Sequence, residues 1–195
     1  PTFVLDALTS SLDSVRLTAL ALFLATTLAV PWSCPAEAES APGSLGWNQF
    51  RGPRGTGVAA PESRPPTNPD ARSLAWKVRV PPGHSSPVMA GAKIFLTGVE
   101  NERLLTIALD RSTGEVAWRR ETPLVPLESV HETSSPAAPT PLADASRVIV
   151  YFGSFGLICY DHDGVEQWAR PLPTPKSLYG TATSPVAHGD AVILV

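Results

Sequence analysis

The chain has 195 residues, with 15 Lys and Arg against 18 Asp and Glu, for a formal net charge of -3 at pH 7. No long run of one sign occurs, which argues against a nucleic-acid or anionic-lipid surface, because either needs a basic patch. Proline is abundant at 21 residues, roughly twice its usual share of about 5%, and it punctuates apolar runs instead of forming one disordered tract.

The first feature in chain order is an apolar run at residues 17–30, preceded by Arg16 and followed by Pro31, Pro35 and Ala36-Glu37-Ala38. A charge, a short apolar run and a small-x-small site make an export signal, and cleavage is expected after Ala38. The run is short for a membrane span of about 20 residues, so an uncleaved anchor is the rival. A lipidated Cys34 is a further alternative, although Pro31-Trp32-Ser33 is a poor approach to such a cysteine. Asp6 and Asp13 do not suit an export leader, and a true start downstream of them would account for both. The chain opens on Pro1 and closes inside the run Ala191-Val192-Ile193-Leu194-Val195, so it reads as a piece of a longer protein. Leader removal leaves Cys159 alone, and no internal disulfide is expected.

Residues 39–73 are rich in Pro, Gly, Ala and Ser. They include Trp47-Asn48-Gln49-Phe50-Arg51-Gly52-Pro53-Arg54-Gly55-Thr56-Gly57, which reads as a tethered loop with two buried aromatics. A phosphate-binding loop would need a preceding strand, a following helix and a Lys-Ser/Thr pair, and none is present.

From residue 74 the chain changes to short strand-length runs separated by Gly, Pro and Asp-Gly breaks. Several unlike features recur in order. Ser-Pro appears at Ser86, Ser135 and Ser184, in steps of 49. Gly114 and Trp118 return 50 residues later as Gly164 and Trp168, and Asp110 returns as Asp161. Gly91-Ala92-Lys93-Ile94-Phe95-Leu96 matches Ala145-Ser146-Arg147-Val148-Ile149-Val150 and Gly189-Asp190-Ala191-Val192-Ile193-Leu194. A period near 50 with four short strands in each unit predicts propeller blades. The first blade, 86–120, is expected to have strands at 86–90, 93–97, 104–109 and 115–120. The second, 135–170, is expected to have them at 136–141, 147–152, 157–161 and 165–170. A third begins at 184–195. Trp76, in residues 74–80, occupies the position of an outermost strand with no inner strands before it. That predicts a closing strand completing the last blade of the ring.

The local chemistry supports this reading. Asp110, Thr113 and Gly114 make a hairpin turn, with the carboxylate bonding backbone amides and Gly at positive φ. Trp118 then packs between neighbouring blades, burying about 150–250 Å². Trp76, Asp161, Gly164 and Trp168 are expected to play the same structural parts. Ala108-x-Asp110-x-x-Thr113-Gly114-x-x-x-Trp118 resembles the tryptophan-docking motif of pyrroloquinoline-quinone (PQQ)-type propeller repeats. That superfamily includes quinoprotein alcohol dehydrogenases and BamB-like outer-membrane assembly lipoproteins. The resemblance covers residues 74–195. In the second copy Cys159 stands in place of Ala and the turn is one residue shorter. Trp47–Gly57 and residues 131–135 are also similar to exported PQQ-like repeat proteins of bacteria such as planctomycetes. The resemblance implies an all-β propeller of four-stranded antiparallel blades, about eight when complete, of which roughly two and a half fall in this chain.

His84, His131, Glu132 and Tyr179 lie in the connections between blades, which lead toward the central channel, and they are the candidates for facing a ligand. A His-Glu pair can join a metal or act as base and orienter, but further spaced ligands are missing, so no metal site and no catalytic residue is assigned. Asp161-x-Asp163-Gly164 reads as a hairpin turn, Cys159 as a core residue, and Ser154 as part of a glycine hairpin. The leading expectation is an exported, non-catalytic binding or assembly scaffold of the periplasm or envelope, with protein partners and no cofactor in this stretch. The alternative that the resemblance implies is a dehydrogenase using PQQ and calcium. Its usual adjacent cysteines and Asp base do not occur here. An extracellular sensor or sugar-binding repeat is a third reading.

Overall fold

The computed structural model describes residues 46–68, 70, 72–189 and 191–195. They belong to the unit Glu39–Val195, one of two into which the chain divides. The other unit lies outside the described residues, and with it the apolar run, Cys34 and the expected cleavage site.

Two four-stranded antiparallel sheets follow one another. The first is β1 (Val88–Ala90), β2 (Lys93–Glu100), β3 (Arg103–Asp110) and β4 (Val116–Glu121), adjacent in that order. The second is β5 (Leu142–Ala143), β6 (Arg147–Phe152), β7 (Gly156–Asp161) and β8 (Glu166–Pro171), with the same order. A third sheet holds only β9 (Val186–His188) and β10 (Ala191–Ile193). This all-β succession of meandering blades is a partial propeller. Strands β2 to β4 and β6 to β8 lie where the sequence pattern places them, with ends moved by at most three residues.

The blades are apolar on both faces, because each face meets a neighbour. Along β3, Leu104 and Ala108 face the second blade, with Phe95, Val148, Ile158 and Tyr160 in the same core. Leu105, Ile107 and Leu109 face the other way, onto Trp76, Val78 and Val80. On the far face of the second blade, Leu142, Ile149 and Cys159 meet Val192. A strand buried on both faces loses the clean apolar-polar alternation of a half-exposed one.

Trp118 joins the blades. Its ring lies against the Asp161–Gly164 turn, where a Cβ added to Gly164 would stand 2.7 Å from Trp118 Cδ2. Its indole N–H donates to the carbonyl of His162 at 2.8 Å. Phe95 and Tyr160 pack on the ring at centroid separations of 5.9 and 5.8 Å. Arg120 covers it, with its guanidinium 5.7 Å from the ring centroid and its Nε donating to the Gly164 carbonyl at 2.7 Å. Trp76 repeats the arrangement one blade earlier, resting on Gly114 and donating to the Arg111 carbonyl at 3.0 Å. The turns are held as the motif requires. Asp110 Oδ1 accepts from the amides of Ser112 and Thr113 at 2.8 and 3.0 Å. The Ser112 hydroxyl first, then those amides, keeps the Asp110 carboxyl below the usual carboxylate range. Asp161 Oδ1 accepts from the amides of Asp163 and Val165, both at 2.9 Å. Residues 74–80 run extended along the first blade and pair with no strand among the described residues.

The innermost strand of the second blade is not where the Ser-Pro spacing puts it. Residues 136–141 form no ladder, and β5 is Leu142–Ala143. Pro136, Pro139 and Pro141 have no N–H to give to a sheet. The residue equivalent to Ser86 and Ser184 is therefore Thr140, followed by Pro141, and the true steps are 54 and 44. Each of the three stands 7 residues before the first residue of the second strand of its blade, at Lys93, Arg147 and Ala191. Their hydrogen bonds confirm the equivalence. The Ser86 N–H donates to Thr140 Oγ1 at 3.0 Å, and the Thr140 N–H donates to Ser184 Oγ at 2.9 Å. A chain of amide-to-hydroxyl bonds thus links one inner strand to the next. Thr140→Val keeps the shape and removes the acceptor, so it is expected to cost about 1–3 kcal/mol, the penalty of an unmade bond. Thr140→Ser should restore most of that in chemical denaturation.

The N-terminal segment crosses the same inner strands. The Met89 N–H donates to the Trp47 carbonyl at 2.7 Å and the Ala143 N–H to the Asn48 carbonyl at 2.8 Å. Asn48 Nδ2 donates back to the Ala143 carbonyl at 3.1 Å. Met89 and Ala143 are equivalent positions of β1 and β5, so Trp47-Asn48 spans two blades at their channel edge. The loop is tethered as expected, but only Trp47 is half-buried, and Phe50 is 48% exposed.

Candidate functional site

Antiparallel order places the connections between blades at the same end as the hairpins β2–β3 and β6–β7. Here the three connections rest on one another. The amides of His84 and Ser85 both donate to the Ala137 carbonyl, at 3.0 and 3.2 Å. Val130 lies against Gly180, whose φ of 88° suits glycine, and a Cβ there would stand 2.4 Å from Val130 Cγ1.

Of the four ligand-face candidates, the structure brings two together. The rings of His131 and Tyr179 are 5.1 Å apart at an interplanar angle of 50°. His131 Nδ1 also lies 2.9 Å from the Thr133 hydroxyl. Both rings are exposed. His84 is exposed and joins the others only through its backbone amide, and Glu132 is exposed with no bonded partner among the described residues. The four do not converge.

The residue at the centre of this end is Glu128, which the sequence reading passed over. It is 9% exposed. Its Oε2 accepts from the Thr181 amide at 3.0 Å and the Thr181 hydroxyl at 2.8 Å. Its own N–H donates to Ser154 Oγ at 2.9 Å. Its Oε1 has no hydrogen-bond partner and rests on Gly153, where a Cβ would come within 2.4 Å. One residue thus ties two successive connections, through its side chain, and the β6–β7 hairpin, through its backbone N–H. Burial, and secondarily the charge of Glu128, pushes the nearby Tyr151 hydroxyl above its ordinary pKa. The one acid in Pro123-Leu124-Val125-Pro126-Leu127-Glu128-Ser129-Val130 was the available signal.

Glu128 Oε2 and the Ser154 and Thr181 hydroxyls are engaged in holding the connections, and Ser154 is an acceptor within that network instead of a nucleophile. Cys159 is wholly buried, and burial pushes its thiol up to about 11, which removes it from thiolate chemistry near neutral pH. Among the described residues no three of His, Cys, Asp and Glu converge to hold a metal. Apolar side chains are also exposed at this end. A shallow cleft is lined by Glu102, Leu124, Val125, Pro126 and Leu127. Leu124, Leu178 and Tyr179 stand 67%, 80% and 59% exposed.

No curated protein matches. Among solved structures, BamB from Moraxella catarrhalis is similar at 16% identity and a TM-score of 0.44, over 62% of this chain and 33% of that one. The chain thus spans about a third of that protein's length. A family model described as "Outer membrane protein assembly factor BamB" matches residues 67–195, and the chain belongs to that family of PQQ-like repeat propellers.

Proposed function

We propose that this chain is part of an exported, non-catalytic scaffold of the cell envelope that holds protein partners during outer-membrane assembly. The observation that carries the proposal is the division of labour at the connection end. Its buried polar side chains bond one connection to another, and Leu124, Leu178 and Tyr179 face outward. Exposed aliphatic and aromatic groups make a contact surface, and Leu124 lines a cleft at this end. The description of the matched family, an outer-membrane assembly factor, supports the same reading, as does the leader-like run at residues 17–30.

The test is affinity capture from envelope extracts with the full-length protein and a Leu124→Asp/Leu178→Asp variant. The expected result is a specific partner held by the parent and lost by the variant. Equal recovery by both, or none by either, would count against the scaffold. Dye-linked alcohol oxidation after loading with PQQ and calcium should show no turnover; sustained turnover would replace the scaffold with a dehydrogenase.

A further inference from the structure

The loop after Asn48 takes no part in blade docking. It coils back on itself through bonds from the Gly52 amide to the Gln49 carbonyl (2.9 Å), Gly55 to Gly52 (3.0 Å) and Gly57 to Arg51 (2.7 Å). The Trp47 ring lies against Gly52, where a Cβ would come within 2.5 Å. Its base is fixed to β1 and β5 through Trp47 and Asn48. Gly52, Gly55 and Gly57 hold the positive φ that favours glycine, and two arginines of the loop hold it as well: Arg51 at φ 62° and Arg54 at φ 55°. A long side chain is costly there, so something other than local stability accounts for it. Both side chains are exposed, and neither guanidinium has a hydrogen bond or ion pair among the described residues. Phe50 stands half-exposed beside them.

The sequence segment that carries the loop is basic. Residues 46–80 carry 6 basic and 2 acidic side chains, a balance of +4, whereas residues 81–195 carry 8 and 12, a balance of -4. The basic segment nevertheless forms no ion pair with the blades among the described residues. Its one ion pair among the described residues is internal, Arg72 with Asp70 at 2.7 Å.

We propose that the loop 50–54 is a recognition surface for an acidic segment of a protein partner. The partner's carboxylates pair with the Arg51 and Arg54 forks, and an apolar side chain covers Phe50. The inference rests on the scaffold reading and names the chemistry of one partner contact. Guanidinium forks match carboxylates in a fixed two-bond geometry. Anionic lipid is instead gathered by flexible clusters of about 4–8 basic residues, and two arginines on a fixed loop do not form one.

The probe is a short fluorescein-labelled peptide of alternating Glu and Ala, titrated with full-length protein at low salt and read by anisotropy. Saturable binding is expected, weakened about tenfold by Arg51→Gln/Arg54→Gln and falling with salt. Arg51→Lys/Arg54→Lys should restore only part of it, and Arg111→Gln, at an exposed turn elsewhere, should leave it unchanged. Arg54→Gly should weaken binding with no loss of melting temperature; a lowered melting temperature would make the arginine structural and overturn the proposal. Equal affinity of the parent and the double Gln variant would also overturn it. So would sedimentation with phosphatidylglycerol vesicles in the absence of peptide binding, which would assign the loop to lipid. If the parent and the double Gln variant capture the same envelope partner equally, this contact falls and the scaffold stands. If Leu124→Asp/Leu178→Asp captures as well as the parent, the scaffold itself falls.

Discussion

Trp118→Ala is expected to lower the stability of the protein by about 3–5 kcal/mol, the range for deleting a buried large aromatic. Trp118 is 8% exposed and sits at the centre of the interface between the two complete blades. Its loss opens a cavity between Phe95 and Tyr160 and leaves the His162 carbonyl without its donor. It also strips Arg120 of the ring it covers. Urea denaturation checks it, and a cost below about 1 kcal/mol, the level of an ordinary surface change, would mean that the ring is not the device that joins blades.

Gly164→Ala is the complementary change and should cost about 2–5 kcal/mol. Gly164 has φ 79°, a conformation that costs an L side chain about 1–2 kcal/mol. The added methyl also meets the Trp118 ring at 2.7 Å, and overpacking of this kind adds about 1–3 kcal/mol. Gly91, with φ 57° but open space where its Cβ would be, supplies the control. Gly91→Ala should show the backbone cost alone. A matched pair of denaturation curves separates conformational strain from the loss of docking.

The parts of the fold that were legible in the sequence are those in which one local rule settles one position. Asp110, Gly114 and Trp118 form a turn and an outer strand, and their copies at Asp161, Gly164 and Trp168 do the same. The inner strand of the second blade was misplaced because Ser135-Pro136 imitated a signal that belongs to Thr140-Pro141. The conflict was already present in the sequence. The matched runs at Gly91, Ala145 and Gly189 are 54 and 44 residues apart, in disagreement with the even step of 49. The second blade has shorter hairpins and a longer connection before it, and the two differences cancelled in the Ser-Pro count. Glu128 was not legible, because its importance lies in contacts with Ser154 and Thr181, 26 and 53 residues away, which no local pattern encodes. The same is true of Phe50, whose exposure depends on how Trp47 and Asn48 are pinned to β1 and β5.

Function was less legible than fold for a related physical reason. A propeller repeat is selected by the packing of one blade on the next, and the side chains that do this are the ones that recur. The groups proposed above as contacts, Leu124, Leu178, Arg51 and Arg54, occur once each and stand out only when their exposure is known.

The claim on which the rest depends is that each outer-strand Trp docks on the glycine turn of the following blade. A double-mutant cycle between Trp118→Ala and Gly164→Ala measures this directly. With the ring gone, Gly164→Ala should cost only its backbone strain, about 1–2 kcal/mol, so the two changes should be coupled by about 1–3 kcal/mol. Strict additivity of the two costs would contradict the docking of Trp118 on Gly164.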